Sequence, residues 1–264
     1  MTSFELDGAA ALEQYAPAAA AAFRRVQEVR PSGLYDEVLE SPGVAAFADQ
    51  FRVDVSQVDE RLRSAFADAT GKRQFDVAQM VWVADMAPRL TAALDAVFGP
   101  STWAEVPRRV PVADVWALIE SFLASVALLD RLDPTTTELV RLRGARQHAC
   151  RLCASRRSVA AIEAGAGDAD FEAVDHHETS DLSPAAKAAL ALTDAIIWTP
   201  LAIPESVVAD VRRELTPEQA VEVVLDVVRN AANKIAVALG SDAPTITDGV
   251  ELFVTEPDGT LTVV

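Results

Sequence analysis

The stretch Glu138-Leu139-Val140-Arg141-Leu142-Arg143-Gly144-Ala145-Arg146-Gln147-His148-Ala149-Cys150-Arg151-Leu152-Cys153 contains both cysteines of the chain, and the fold is read outward from it. Asp133-Pro134 precedes it, an N-cap followed by proline at the first helical position. On a helix over 134–148, Glu138, Leu142 and Ala145 share one face at i, i+4 and i+7. A carboxylate on an apolar face is costly unless it has a partner. A second helix is expected over 151–165, beginning near Cys150. It would place Cys150, Cys153 and Arg157 on one face at i, i+3 and i+7. Free N–H groups at a helix start favour thiolate over thiol. One acid, two thiols and a guanidinium are therefore expected to converge.

The charge around the thiols points the same way. Residues 139–162 hold no Asp or Glu, but they hold Arg141, Arg143, Arg146, Arg151, Arg156 and Arg157. The chain as a whole carries a net charge of −17. Positive charge beside a cysteine lowers its pKa. The alternative is that these arginines pair with acids elsewhere. In a reducing compartment a C-x-x-C pair is more often redox-active or metal-binding than structural, although two small buried hydrophobes would also fit. His176-His177 could join the cysteines on zinc, but adjacent histidines rarely ligate one ion together, and no metal is expected.

Glu138, eleven residues, then Cys150-x-x-Cys153 resembles the core motif of the alkylhydroperoxidase D-like, carboxymuconolactone decarboxylase superfamily. That motif reads Glu, eleven residues, then Cys-x-x-Cys-x-x-x-His. Downstream, Asn230-Ala231-Ala232-Asn233-Lys234-Ile235-Ala236-Val237-Ala238-Leu239 resembles the family's last core helix, so the likeness covers roughly 110–240. It implies an all-α helical bundle, homo-oligomeric assembly, and a thiol peroxidase or disulfide reductase without a bound cofactor. The substrate would be a hydroperoxide or a disulfide, and electrons would come from a dithiol partner. Carried over, Cys153 is peroxidatic and becomes a sulfenic acid, Cys150 resolves it, and Glu138 is the relay acid. The family's histidine position is Arg157 here. Arginine holds its proton at any working pH, so its remaining roles are to stabilise a thiolate, orient Glu138 or bind an anion. His148 is the candidate for proton transfer, with capping of the helix's last carbonyls as its alternative. Thiol–disulfide exchange needs no histidine.

Helical periodicity extends along most of the chain. Helices are expected over 8–29, 34–50, 56–70, 74–98, 111–130, 134–148, 151–165, 183–198, 204–214 and 217–240. Ser183-Pro184 and Thr216-Pro217 repeat the start signal. Gly99, Gly165 and Gly240 stand where helices should stop. Residues 166–182 read as a polar loop. The tail, 250–254 and 260–264 around Pro257-Asp258-Gly259, predicts a β-hairpin or a strand that pairs with a neighbouring subunit. The expected fold is an all-α bundle with a short C-terminal hairpin. Its segments are an N-terminal helical region (1–110), the C-x-x-C core (111–240) and a tail (241–264). Residues 46–94 align without gaps onto 191–239, with eight identities in 49 positions, among them Asp49/Asp194, Glu60/Glu205 and Leu94/Leu239. The 1–110 region therefore reads as a degenerate repeat of the core or as an oligomer interface.

Composition bounds the function. With 264 residues, half of them apolar and 24% charged, the chain is an ordinary globular one that can bury about three quarters of its unfolded surface. No apolar run approaches the ~18 residues of a membrane span. The negative charge disfavours nucleic acid and anionic membranes as partners. No basic segment precedes the alanine run at 18–22, so a cytoplasmic location is expected. The leading expectation is a thiol-dependent peroxidase or disulfide reductase. The alternatives are a decarboxylase-like enzyme holding a small organic acid through Arg156 or Arg157, and a non-catalytic redox sensor or assembly module.

Overall fold

In chain order the elements are α1 (Gly8–Tyr15), α2 (Pro17–Gln27), β1 (Val29–Pro31), α3 (Asp36–Leu39), α4 (Pro42–Val53), α5 (Glu60–Thr70), α6 (Gln74–Phe98) and β2 (Val110–Val112). Then follow α7 (Trp116–Ala127), α8 (Pro134–Gln147), α9 (Arg151–Ala154), β3 (Arg156–Ser158), α10 (Val159–Glu163), α11 (Asp168–Ala173), α12 (Pro184–Trp198), α13 (Glu205–Glu214), α14 (Pro217–Asn230), α15 (Asn233–Leu239), β4 (Glu251–Thr255) and β5 (Leu261–Val263). The computed structural model describes residues 4–105 and 109–264.

Helices α6 and α14 are buried along most of their length, charged side chains included, and they pack against each other. Around them lie α1, α7, α8 and α12. One apolar core runs from Ala11 to Ala238 and draws on both sides of the 110/111 boundary. Strand β1 pairs in parallel with β2, which straddles the same boundary, Arg30 opposite Pro111.

Several expected helices are shorter than their periodicity. Pro17 and Pro42 each take the first position of a new helix, which divides 8–29 and 34–50. The run 217–240 breaks at Ala231-Ala232. The expected loop 166–182 contains α11 and a 3-10 turn over Val174–Thr179. The start signals hold: the side chains of Asp133, Ser183 and Thr216 each accept a backbone N–H of their helix's first turn.

The expected helix over 151–165 is absent. Four residues of α9 give way to strand β3, which pairs in parallel with β4, Arg156 opposite Glu251. The hairpin forms as β4 antiparallel to β5, Phe253 opposite Val263, and completes a three-stranded sheet in the order β3-β4-β5. Among the described residues the fold is thus mostly helical with two small sheets.

The 145-residue offset between the aligned stretches also relates helix boundaries. Helices α4 and α12 end at Val53 and Trp198, and α5 and α13 begin at Glu60 and Glu205. Arg89 and Lys234, aligned by that offset, meet on one carboxylate: Asp85 takes Arg89 Nε at 2.7 Å and Lys234 Nζ at 2.5 Å. Arg89 also donates to the carbonyls of Arg52 and Ile197, again an aligned pair.

Candidate functional site: the C-x-x-C turn

Helix α8 ends at Gln147, three residues before the first cysteine, and the way it stops sets the turn. Ala149 N donates to Arg146 O and Cys150 N to Ala145 O, the bonding of a Schellman cap. The residue that turns left-handed in such a cap is usually glycine, but here it is Ala149, with φ at 52°. Cys150 then becomes the N-cap of α9, its Sγ accepting from Cys153 N at 3.3 Å. The two cysteines are joined as a disulfide with their Cα atoms 5.3 Å apart. Cys150 is 1% exposed, whereas Cys153 is half-buried.

Asp242 braces this turn from the far side of the sequence. Its carboxylate takes Arg151 N at 2.9 Å and Arg151 Nη2 at 2.7 Å, and its carbonyl takes Leu152 N. Burial pushes the Asp242 carboxyl upward, but the hydrogen bonds and charge of Arg151 outweigh it and hold the pKa below the ordinary carboxylate value.

The buried carboxylate of α8 finds its partner one turn along. Glu138 is bound by Arg141 through Nε at 2.6 Å and Nη2 at 2.7 Å. The same guanidinium donates to Cys153 O at 2.9 Å and Arg156 O at 2.8 Å. In an uninterrupted helix Cys153 O would accept from the N–H of residue 157. Arg141 satisfies that carbonyl instead, and β3 pairs with β4. The shared face expected for Cys150, Cys153 and Arg157 therefore does not exist. Arg157 donates to Ala154 O and Arg156 O and lies over the Phe171 ring, 5.1 Å from its centroid. Glu138 reaches the turn through Arg141, with no bond to either sulfur among the described residues.

Five of the six arginines have carboxylate partners: Arg141 with Glu138, Arg143 with Asp194, Arg146 with Asp175, Arg151 with Asp242, and Arg156 with Glu251. Arg157 makes no ion pair among the described residues. The positive field expected at the thiols is largely neutralised, with acids reached across the fold.

His148, the C-cap of α8, is buried with Nδ1 3.0 Å from Asn233 Oδ1. Burial, then the nearby Lys234 charge, pushes its pKa down to about 3. Its imidazole is neutral at working pH and a weak proton acceptor. His177 pairs with Asp194 Oδ2 at 3.0 Å, in a cluster with Arg143 that ties α8 to α12. Among the described residues no group of three metal-binding side chains occurs.

Two polar groups near Glu138 escaped the sequence reading. Asp226 and Arg229, on α14, line a cavity of about 290 Å³ together with Glu138 and Arg141. The available signal was an acid inside the apolar run 223–228. Asp242 and the Asp85–Arg89–Lys234 cluster gave no motif, because each is assembled by tertiary contact alone.

Fold and site together define a mostly helical protein with an intrachain C-x-x-C disulfide. Among the described residues no helix is long and apolar enough to cross a membrane. The chain belongs to the family of two Mycobacterium tuberculosis proteins, Uncharacterized protein Rv2313c of strain H37Rv and Uncharacterized protein MT2376 of strain CDC 1551. Each is 40% identical to it over 234 residues, which cover 83% of this chain and 81% of the relative. No family model matches the chain, and no solved structure matches it.

Proposed function

We propose that Cys150 and Cys153 are a redox-active pair working by thiol–disulfide exchange, with Cys153 as the exchanging sulfur. The observation that carries this reading is the asymmetry of the pair: the sulfurs are bonded, Cys150 is buried, and Cys153 is half-buried. In the reduced protein the Cys153 thiolate attacks one sulfur of a substrate disulfide and expels the other as a thiolate. The Cys150 thiolate then attacks the Cys153 sulfur and releases the second substrate thiol. Two electrons pass from the pair to the substrate, and a dithiol donor restores the pair by the reverse steps. The resemblance to the alkylhydroperoxidase D-like superfamily supports the same division of roles.

Peroxide reduction is the weaker branch of this reading. The alkoxide leaving group needs a proton donor near the attacking sulfur. Glu138 is held by Arg141, His148 is neutral and bonded to Asn233, and Arg157 is bonded to carbonyls.

The test uses the reduced chain with glutathione disulfide in one arm and cumene hydroperoxide in the other. Cys150→Ser is expected to trap a glutathione mixed disulfide on Cys153, and Cys153→Ser to trap little. If Arg157 simply occupied a relay position, Arg157→His would raise peroxide consumption by about 100-fold or more; it is expected to leave it nearly unchanged. Exchange with glutathione disulfide no faster than that of an unstructured cysteine peptide would sink the proposal.

A further inference from the structure

Arg141, which holds the carbonyl of Cys153 in the C-x-x-C turn, also lines the cavity of about 290 Å³ between α7, α8, α14 and the β3–β4 strands. Asp226 is 2% exposed, and among the described residues its Oδ2 has no hydrogen-bond partner. A buried carboxyl oxygen without a partner is a costly arrangement that a folded chain rarely keeps. Arg229, one turn along, spends its Nε on Leu123 O and makes no ion pair among the described residues. Glu138 and Arg141 neutralise each other at the cavity wall. Val126, Leu129 and Phe253 give the lining an apolar side, while Asp130, Thr137, Ser158 and Thr255 add polar groups.

We propose that this cavity binds a small oxyanion with an apolar body, its head group held between Arg229 and the orphaned Asp226 oxygen and its body against Val126, Leu129 and Phe253. The guanidinium supplies charge and directed donors, for which carboxylate and phosphate heads are the matching chemistry. A protonated Asp226 donates its hydrogen to the ligand's second oxygen. Burial, outweighing the nearby Arg229 charge, raises the Asp226 pKa to about 7, with Glu222 adding to the rise. The charged groups facing Asp226 are Glu222 and Arg229 on its own helix, Glu138 and Arg141 on α8, and Asp130 in the segment after α7. Neither cysteine lines the cavity, so this site stands apart from the exchange chemistry proposed above.

The experiment is isothermal titration of the full chain with benzoate, phenyl phosphate and inorganic phosphate at pH 6 and pH 8. A Cys150→Ser/Cys153→Ser variant is run alongside, so that failure of the redox reading leaves this result unaffected. Benzoate or phenyl phosphate is expected to bind at pH 6, and inorganic phosphate at least tenfold more weakly. The difference between the two bound heads tells carboxylate from phosphate. Benzoate, whose charge is constant over this range, should bind about tenfold more weakly at pH 8 than at pH 6, as Asp226 gives up its proton near 7. Asp226→Asn, which keeps a donor, should abolish that pH dependence and retain binding. Arg229→Gln should lose tenfold or more, and Arg229→Lys should recover part of it, with circular dichroism melts checking that each variant is folded. Absence of binding by all three probes at pH 6 overturns the proposal. So does binding indifferent to both Arg229 variants, or inorganic phosphate binding as tightly as phenyl phosphate.

Discussion

Arg141 grips the Glu138 carboxylate at 2.6 and 2.7 Å and, with the donors left over, holds the carbonyls of Cys153 and Arg156. The acid that the sequence places behind the thiols thus acts on them by fixing an arginine, and the arginine fixes the turn. The pair is buried, so its members depend on each other more than on water. Arg141→Met should cost about 3–5 kcal/mol, because it leaves Glu138 charged, buried and alone. Adding Glu138→Gln should return part of that loss, so the double variant is more stable than Arg141→Met. Urea melts of the three proteins decide it, and simple additivity would show that the two side chains are not coupled.

Ala149 sits left-handed at the cap of α8, one residue before Cys150. A side chain there costs about 1 kcal/mol relative to glycine. Ala149→Gly should therefore stabilise the protein by about that amount and raise Tm by roughly 2–4 °C. No change in Tm would mean that the strain at this position is relieved by its surroundings.

His148 gives the protein an acid sensitivity of its own. Its folded pKa, about 3, lies well below the ordinary histidine value of 6.5. Between those two values the unfolded chain binds a proton that the folded chain refuses, so stability falls as the pH falls. The slope from this group approaches about 1.4 kcal/mol per pH unit in mid-window. His148→Gln should flatten the dependence between pH 6.5 and pH 4 in denaturant titrations. An unchanged slope would assign the acid sensitivity to the carboxylates instead.

Signals carried by single residues were legible in the sequence. Asp133-Pro134, Ser183-Pro184 and Thr216-Pro217 start helices where proline and a short polar side chain require it, and α6 follows its periodicity over 74–98. The C-x-x-C spacing brought two sulfurs together because three residues of one turn can do so locally. The failures lie where a distant group competes with the helix for backbone partners. Nothing within 151–165 announces that Arg141 will take Cys153 O or that β4 will pair with 156–158. The arginine cluster misled for a related reason. Net sequence charge counts only neighbours along the chain, whereas Asp194, Asp242 and Glu251 arrive from elsewhere in the fold.

The brace on the cysteine turn also carries a timetable. Arg151 and its clamp Asp242 are 91 residues apart, and Arg156 and Glu251 are 95 apart. At ordinary elongation rates a ribosome takes roughly 5–20 s to make that much chain. Through this interval both cysteines have left the peptidyl-transferase centre, while the residues that seat them are still being synthesised. The thiols therefore meet their surroundings before they meet their own scaffold. The redox state in which each new molecule begins is set by its compartment, and the fold then encloses whichever state it finds.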